Sequence, residues 1–464
     1  MKNTYRALVV CLCLMLVAPG ILSAQSSSED MKARVEELEK LILELKAEMA
    51  SMKKASTPAA EETAKTQEVE TPAETTTATT GGRVLIASLG MPSIPASPEK
   101  PQGIVPGAPA PASPSIASLL GPTSVQGYVD SYYGHNFNNP SALGNTLYSF
   151  NRYANQFGLG LVQLQVDKAP SEESRTGYRV SLGFGQAMTG LSELDPGETQ
   201  TGIGFAQYLM EGYFSYLAPV GKGLQVDVGK FVTPVGVELI PAKDNWQYSR
   251  GLIFSWLDPY FHFGMRAKYV VSDKVAVSGF LLNGWNNILD TNSGKTFAGQ
   301  ISLTPSSKFA ITQTYMAGPE GAGNNNDWRQ LSDTIVTISP TSKLSLIANA
   351  IYWRGDRMAG FTDPIWAAGG AGFIRYAISD SNAISGRYEY LNDHFGFATT
   401  TAQRVHGITG TFERKIANNI ITRWEYRRDF SNTPFFTKGA SDAVKAQTTA
   451  TAGLMFTFDS REAK

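Results

Sequence analysis

Two short stretches carry a charge at every second residue. Arg387 and Glu389 flank Tyr388, and Arg423, Glu425 and Arg427 alternate with Trp424 and Tyr426. In an extended strand residues two apart share a face, so each stretch offers a charged side and an aromatic side. Fixed charges of both signs around a column of water orient dipolar solutes and filter ions by sign. The same parity puts Glu211, Asp227, Arg266, Lys268 and Arg375 on the wet faces of other stretches. These ten side chains form the candidate pore-lining set. Basic residues outnumber acidic ones in it, a weak lean towards anions or neutral polar solutes. A blander reading stays open, in which the charges pair with one another and hold water.

Other chemistries find little support, and the chain does not read as an enzyme. The sequence has four histidines, His135, His262, His394 and His406, and none sits in a recognisable Ser-paired motif. The run Asp290-Thr291-Asn292-Ser293-Gly294 starts like a calcium loop. Its glycine comes one place early, and Ile301 stands where the bidentate glutamate belongs. No Gly-rich phosphate loop ending in Lys-Ser/Thr is present, so neither a cofactor nor a metal is expected.

The elements that would hold the charged faces recur from residue 125 onward. Alternating stretches fall at 125–136, 156–167, 176–186, 207–217, 224–231, 260–270, 275–285, 296–304, 309–318, 328–339, 344–354, 365–378, 383–393, 404–412, 420–430 and 445–458. Each is close to the ~9–11 residues that a tilted strand needs to cross hydrocarbon. Tight turns such as Ser272-Asp273-Lys274 and Asp380-Ser381-Asn382 alternate with longer excursions, including 318–327, rich in Gly and Asn. Short turns on one side and long loops on the other are the habit of outer-membrane barrels, and this register puts both barrel ends in the periplasm. Thr448, Ala450, Ala452, Leu454, Phe456 and Phe458 share one face of the last stretch. Trp285, Trp328, Trp353, Trp366 and Trp424 fall in or at the ends of strands, where several would form an interfacial girdle. The fold class expected is all-β, a transmembrane antiparallel barrel of about 16 strands over residues 123–458.

The 464-residue chain has a formal net charge of −1, which points to no nucleic-acid partner. Its mean hydropathy of −0.16 is compatible with a barrel, because alternating strands average out. Lys2 and Arg6 precede an apolar run, with Pro19-Gly20 and Leu22-Ser23-Ala24 after it. Residues 1–24 therefore read as a secretory signal cut after Ala24 or Ser23, the alternative being an uncleaved anchor. Both cysteines, Cys11 and Cys13, lie inside it. Met31, Val35, Leu38, Ile42, Leu45, Met49 and Met52 then repeat at spacings of 4 and 3. That is a heptad stripe, a coiled-coil stalk over residues 30–54, with Arg34–Glu39 and Glu48–Lys53 as g–e′ pairs favouring parallel copies. Residues 55–122 are Thr/Glu/Ala- and Pro-rich, a disordered linker, interrupted by two near-copies, Ile86-Ala87-Ser88-Leu89 and Ile116-Ala117-Ser118-Leu119.

Gly127-Tyr128-Val129-Asp130-Ser131-Tyr132-Tyr133, Gly229-Lys230-Phe231-Val232-Thr233-Pro234, Asn245-Trp246-Gln247-Tyr248-Ser249-Arg250 and Leu282-Asn283-Gly284-Trp285 resemble stretches of the OmpL-like outer-membrane β-barrel porins. The resemblance covers about residues 125–458 and implies a passive diffusion channel in a Gram-negative outer membrane, with the N-terminal region periplasmic. By analogy with general porins, the third long excursion, 232–259, would fold inward. It carries Glu238, Lys243, Asp244, Arg250 and Asp258 beside Trp246, Tyr248, Phe254 and Trp256, the makings of a constriction. Packing on the barrel rim or on a neighbouring subunit is the alternative. Expected partners are outer-membrane lipid, small hydrophilic solutes and further copies of the chain, with a trimer favoured by analogy and a dimer allowed by the heptads. Cell-wall contact through stalk and linker belongs to a rival reading, a structural or adhesive anchor. A barrel hydrolase is the second rival.

Overall fold

The computed structural model describes residues 121–192, 207–358 and 360–461. The expected signal, heptad stalk, both linker islands and nearly all of the linker lie outside the described residues.

Alternation of small or apolar side chains with polar ones, punctuated by Gly, Asn, Asp and Ser turns, gives strands of 8–15 residues around the barrel. They are β1 (Ser124–Asn136), β2 (Gln156–Lys168), β3 (Thr176–Phe184), β4 (Leu209–Ala218), β5 (Leu224–Val232), β6 (Phe261–Ser272), β7 (Val275–Leu282) and β8 (Thr296–Ser306). There follow β9 (Phe309–Gly321), β10 (Asn324–Ile338), β11 (Leu344–Asp356), β12 (Ile365–Ala377), β13 (Asn382–Asp393), β14 (Gln403–Ala417) and β15 (Ile420–Ser431). A small hairpin, β16 (Phe436–Lys438) with β17 (Asp442–Val444), precedes the last strand, β18 (Ala446–Asp459).

Sixteen strands pair with their sequence neighbours, and β18 returns to β1 to close the barrel. Every pairing is antiparallel; across the seam Val129 faces Phe456 and Tyr133 faces Ala452. Closure leaves no open sheet edge, so the peptide groups of the wall are satisfied within it. Short connections and long ones alternate around the barrel except between β9 and β10, and β1 begins and β18 ends at the short-turn rim.

Some boundaries differ from those read in the sequence. The region 318–327 is not a long loop: β9 runs on to Gly321 and β10 starts at Asn324, leaving two residues between them. Gly323, with φ of 65°, supplies the left-handed position a tight hairpin needs. Asn and Gly are poor strand formers, but cross-strand pairing overrides their preference. After β3 the chain enters a short helix, α1 (Gln186–Ser192), and the hairpin β16–β17 lies inside what reads as plain loop.

The expectation of an oily outside and a wet inside also needs correction. On β15 it holds, with Trp424 and Tyr426 exposed and Arg423, Glu425 and Arg427 buried. On β10 it is mixed. Leu331 and Ile335 are buried in an interior cluster with Ile347, Ile351 and Trp353 of β11, while Ser332 and Thr334 fall on the other face. The interior of this side is dry because part of the chain fills it.

Candidate functional site

The filler is the segment between β5 and β6, residues 233–260. Pro234, Pro241 and Pro259 interrupt it, and it contains a short 3-10 turn (Ala242–Asp244) and the helix α2 (Leu252–Trp256). Its apolar half, Val235, Val237, Leu252, Ile253 and Leu257, clusters with Leu331, Ile335, Ile347, Ile351 and Phe373 of the wall. Burying each such side chain contributes about 1.5–3 kcal/mol. Small wall residues make room. A Cβ on Gly369 would stand 2.1 Å from Ile253, and one on Gly453 would stand 2.4 Å from the Tyr248 ring.

The polar half carries a loop backbone into the barrel, away from bulk water. A buried peptide group left unpaired costs about 1–3 kcal/mol. The alternating charges of β13 and β15 meet that need. Arg423 Nη1 donates to the carbonyls of Ala242 (2.5 Å) and Gln247 (3.0 Å). Glu425 accepts from the backbone nitrogens of Tyr248 (2.7 Å) and Ser249 (3.1 Å). Arg427 Nη1 donates to the carbonyl of Arg250 (2.8 Å), and Arg387 Nη1 to that of Ser249 (2.7 Å). Glu389 accepts from the nitrogen of Ile253 (3.3 Å). The seat extends to other strands: Tyr248 donates its hydroxyl to Asp130 of β1 (2.7 Å), and the Gly236 nitrogen donates to Asp333 of β10 (3.0 Å).

Ion pairs knit the same wall together. Arg387 pairs with Glu238 of the loop (2.7 Å) and lies 2.8 Å from Glu389. Arg427 pairs with Asp429 (2.9 Å), and Glu413 bridges Arg423 (2.7 Å) and Arg375 (2.8 Å). Arg387, Glu389, Arg423, Glu425 and Arg427 are all at most 5% exposed. Of the ten pore-lining candidates these five face inward but lie under the loop, and Arg375 is half-buried beside them.

The other four stand on β4–β6. Glu211 pairs with Arg179 of β3 (3.4 Å), and Asp227 with Arg266 (2.7 Å). Both arginines lie near the Tyr213 ring, at 5.9 Å and 4.9 Å. Arg179, Arg266 and Lys268 keep part of their surface open.

Two chambers flank the loop. The one at the short-turn rim measures about 320 Å³ and is lined by Arg179, Glu211, Lys243, Asp244, Ile240 and Tyr128, among others. The one on the long-loop side measures about 290 Å³ and is lined by Trp256, Asp258, Tyr260, Trp285, Arg329 and Phe397, among others. Of the five constriction candidates, Lys243 and Asp244 pair with each other (2.8 Å) at the first chamber. Glu238 and Arg250 are buried in the seat, where Arg250 Nη1 donates to the carbonyl of Tyr248 (2.8 Å). Asp258 borders the second chamber, yet its carboxyl is buried, and neither oxygen has a hydrogen-bond partner among the described residues. Burial, then the nearby Asp333, Glu238 and Glu389, pushes its pKa well above the usual carboxylate range. Burial also raises Glu238, with Arg387 pulling the other way.

Several members of the site escaped the sequence reading. Asp429 continues the parity of Arg423, Glu425 and Arg427 and was within reach of it. Glu413 lies one residue past the strand end read at 412. Asp130 sits in a quoted motif, but its partner Tyr248 is 118 positions away, and nothing local announces the pair.

The histidines make local contacts. His262 bonds Thr233 Oγ1 (3.1 Å) and the Gly284 carbonyl (2.9 Å); His394 stacks on Trp366, and His406 on Phe430. Among the described residues no group of three or more His, Cys, Asp or Glu is placed to hold a metal ion. Asp290 accepts from Asn292 and from Lys295, so its failed calcium loop is closed by a lysine.

The family model described as "Putative beta-barrel porin-2, OmpL-like" matches residues 122–458. No curated protein matches the chain. Among solved structures, an anion-selective porin from Comamonas acidovorans is similar at 9% identity, covering 72% of this chain and 99% of that one, with a TM-score of 0.47. OmpT of Vibrio cholerae, folded in vitro and in its trimer form, is similar at 13% identity, with 72% and 99% covered and a TM-score of 0.47. The outer membrane channel DcaP of Acinetobacter baumannii stands at 10% identity, 72% and 97% covered, and a TM-score of 0.46. The matching family model runs from just ahead of β1 into β18, and the chain belongs to the OmpL-like beta-barrel porin-2 family.

Proposed function

We propose that the barrel passes small hydrophilic solutes and ions passively across the outer membrane, with the 233–260 loop as its constriction. The observation that carries this is the pair of chambers on either side of the seated loop, joined by family membership. The solute path runs along the β3–β6 side, where Arg179, Glu211, Asp227, Arg266 and Lys268 act as the pore-lining charges. Arg387, Arg423 and Arg427, which tilt the sequence towards anions, are engaged with the loop backbone. The remaining charged residues bordering the short-turn chamber are Arg179 and Lys243 against Glu211, Asp244 and Asp459. Two bases against three acids leave a net charge close to zero, which favours dipolar neutral solutes and weak discrimination between ions.

The stalk and linker fit a homo-oligomer whose N-terminal segments lie together in the periplasm, trimer or dimer, after removal of residues 1–24. Planar-bilayer recording of the purified protein tests the channel. Discrete conductance steps with a reversal potential near zero in a salt gradient are expected. An inserted, folded barrel with no steps would leave the anchor reading in its place.

A further inference from the structure

The lipid-facing surface is apolar and bulky over most of the barrel: Val180, Phe184, Phe214, Tyr216, Ile408 and Trp424 are all well exposed there. Small residues also face outward at Ala267, Gly279 and Gly299 on β6–β8, but one sector joins such a strip to a polar cluster. Between Ile338 at one rim of β10 and Trp328 at the other, the same face carries Gln330, Ser332 and Thr334, and neighbouring β9 adds Gln313. Gln313 Nε2 donates to Ser332 Oγ (3.1 Å), Thr334 Oγ1 donates to Gln313 Oε1 (2.5 Å), and Tyr315 donates to Gln330 Oε1 (2.8 Å). The next two strands are nearly bare at this level. Thr334 faces Ala350, and Ala350 faces Gly370; Val336 faces Ala348, and Ala348 faces Gly372. A Cβ on Gly372 would meet nothing within 4 Å, so packing within the barrel does not call for a glycine there.

Amide and hydroxyl groups facing hydrocarbon are costly, and a flat strip of Ala and Gly buries little lipid chain. Contact between proteins in a bilayer selects for both features: small residues allow close approach, and polar side chains bond across the contact. We propose that the outer face of β9–β12 is the surface on which copies of this chain associate within the membrane. This rests on the oligomer reading above. The occupant is a second copy because of the chain outside the structure. The 120 residues ahead of Gly121 include the heptad stripe, whose g–e′ charges are complementary between parallel copies. The barrel begins at Ser124 on the short-turn rim, at the same point in every copy, so pairing of the heptads would hold the barrels at high effective concentration.

The test measures mass in mild detergent, by native mass spectrometry and sedimentation, on the full mature chain. Four variants are compared with it: Ala350→Trp; Gln313→Leu with Thr334→Val; Val180→Trp on β3; and deletion of 30–54. The first two change only outward side chains, and heat-modifiable mobility on gels reports that each barrel is folded. The first two are expected to weaken association about tenfold or more, the scale of a hot-spot loss, and Val180→Trp to leave it unchanged. If the deletion dissolves the oligomer while Ala350→Trp and the double variant leave it intact, the face is wrong and the oligomer reading stands. A wild type that is monomeric throughout overturns both.

Discussion

The two sides of the lumen use the same residue types for different work. On β13–β15, Arg387, Glu389, Arg423, Glu425 and Arg427 are sealed from water and bond to a loop that crosses the interior. On β3–β6, Glu211 and Asp227 are buried too, but their partners on neighbouring strands, Arg179 and Arg266, keep a share of solvent. The difference lies in what stands opposite each wall. A charge facing water is hydrated and screened, so its worth to folding is about 0–1 kcal/mol while its field reaches passing solutes. A charge facing a buried backbone satisfies peptide groups that would otherwise be orphaned, and its field is spent locally. Charge count along the lumen is therefore a poor guide to selectivity unless loop cover is known.

Breaking the sealed wall should give the largest effect. Arg387→Ala leaves Glu238 and Glu389 buried without their cation and is expected to cost about 3–5 kcal/mol. Unfolding in detergent should shift accordingly, and single-channel conductance should rise as the loop loosens. Glu425→Gln keeps the shape but exchanges a carboxylate for an amide under Tyr248 and Ser249. A loss of about 1–2 kcal/mol is expected, with noisier open-channel current as the second readout.

A third experiment uses pH. Asp258 is an acid whose pKa in the folded state lies above its unfolded value, so the folded protein holds the proton over that interval. Stability then falls as pH rises from the ordinary carboxylate range through the raised value. Unfolding midpoints measured across this interval should decline for the wild type and flatten in Asp258→Asn. An unchanged slope in the variant would assign the dependence to another group.

The smallest effect belongs to the open wall. Arg179→Ala strands one buried carboxylate, Glu211, rather than two, so it should cost less than Arg387→Ala, yet move the reversal potential towards cation preference. If it proves as destabilising as Arg387→Ala, the contrast between the walls fails.

Most of the barrel was legible in the sequence, and most of the seat was not. Period-two alternation marks a strand locally, and turn residues mark its ends, so sixteen strands and their order follow from short windows. Parity also sorted Arg423 and Trp424 to opposite faces. What alternation cannot say is what lies across the hole. Ile347, Ile351 and Trp353 alternate with Ala348, Ala350 and Tyr352, and nothing in that pattern tells which face meets lipid. The answer comes from Val235, Val237 and Ile253, about a hundred residues upstream. Likewise Asn324-Asn325-Asn326 looks like loop until its hairpin partner is known.

The seated loop reaches the seam where the first and last strands meet. Tyr248 bonds Asp130 on β1, lies over Gly453 on β18, and takes its backbone partner from Glu425 on β15. Those three contacts coexist only once the cylinder has been zipped shut. Full seating of the loop at Tyr248 therefore reports that the two ends of the sheet have met. Tyr248 is a latch across the joint: a chain that fails to join its ends lacks this fastening while keeping those on β13 and β15.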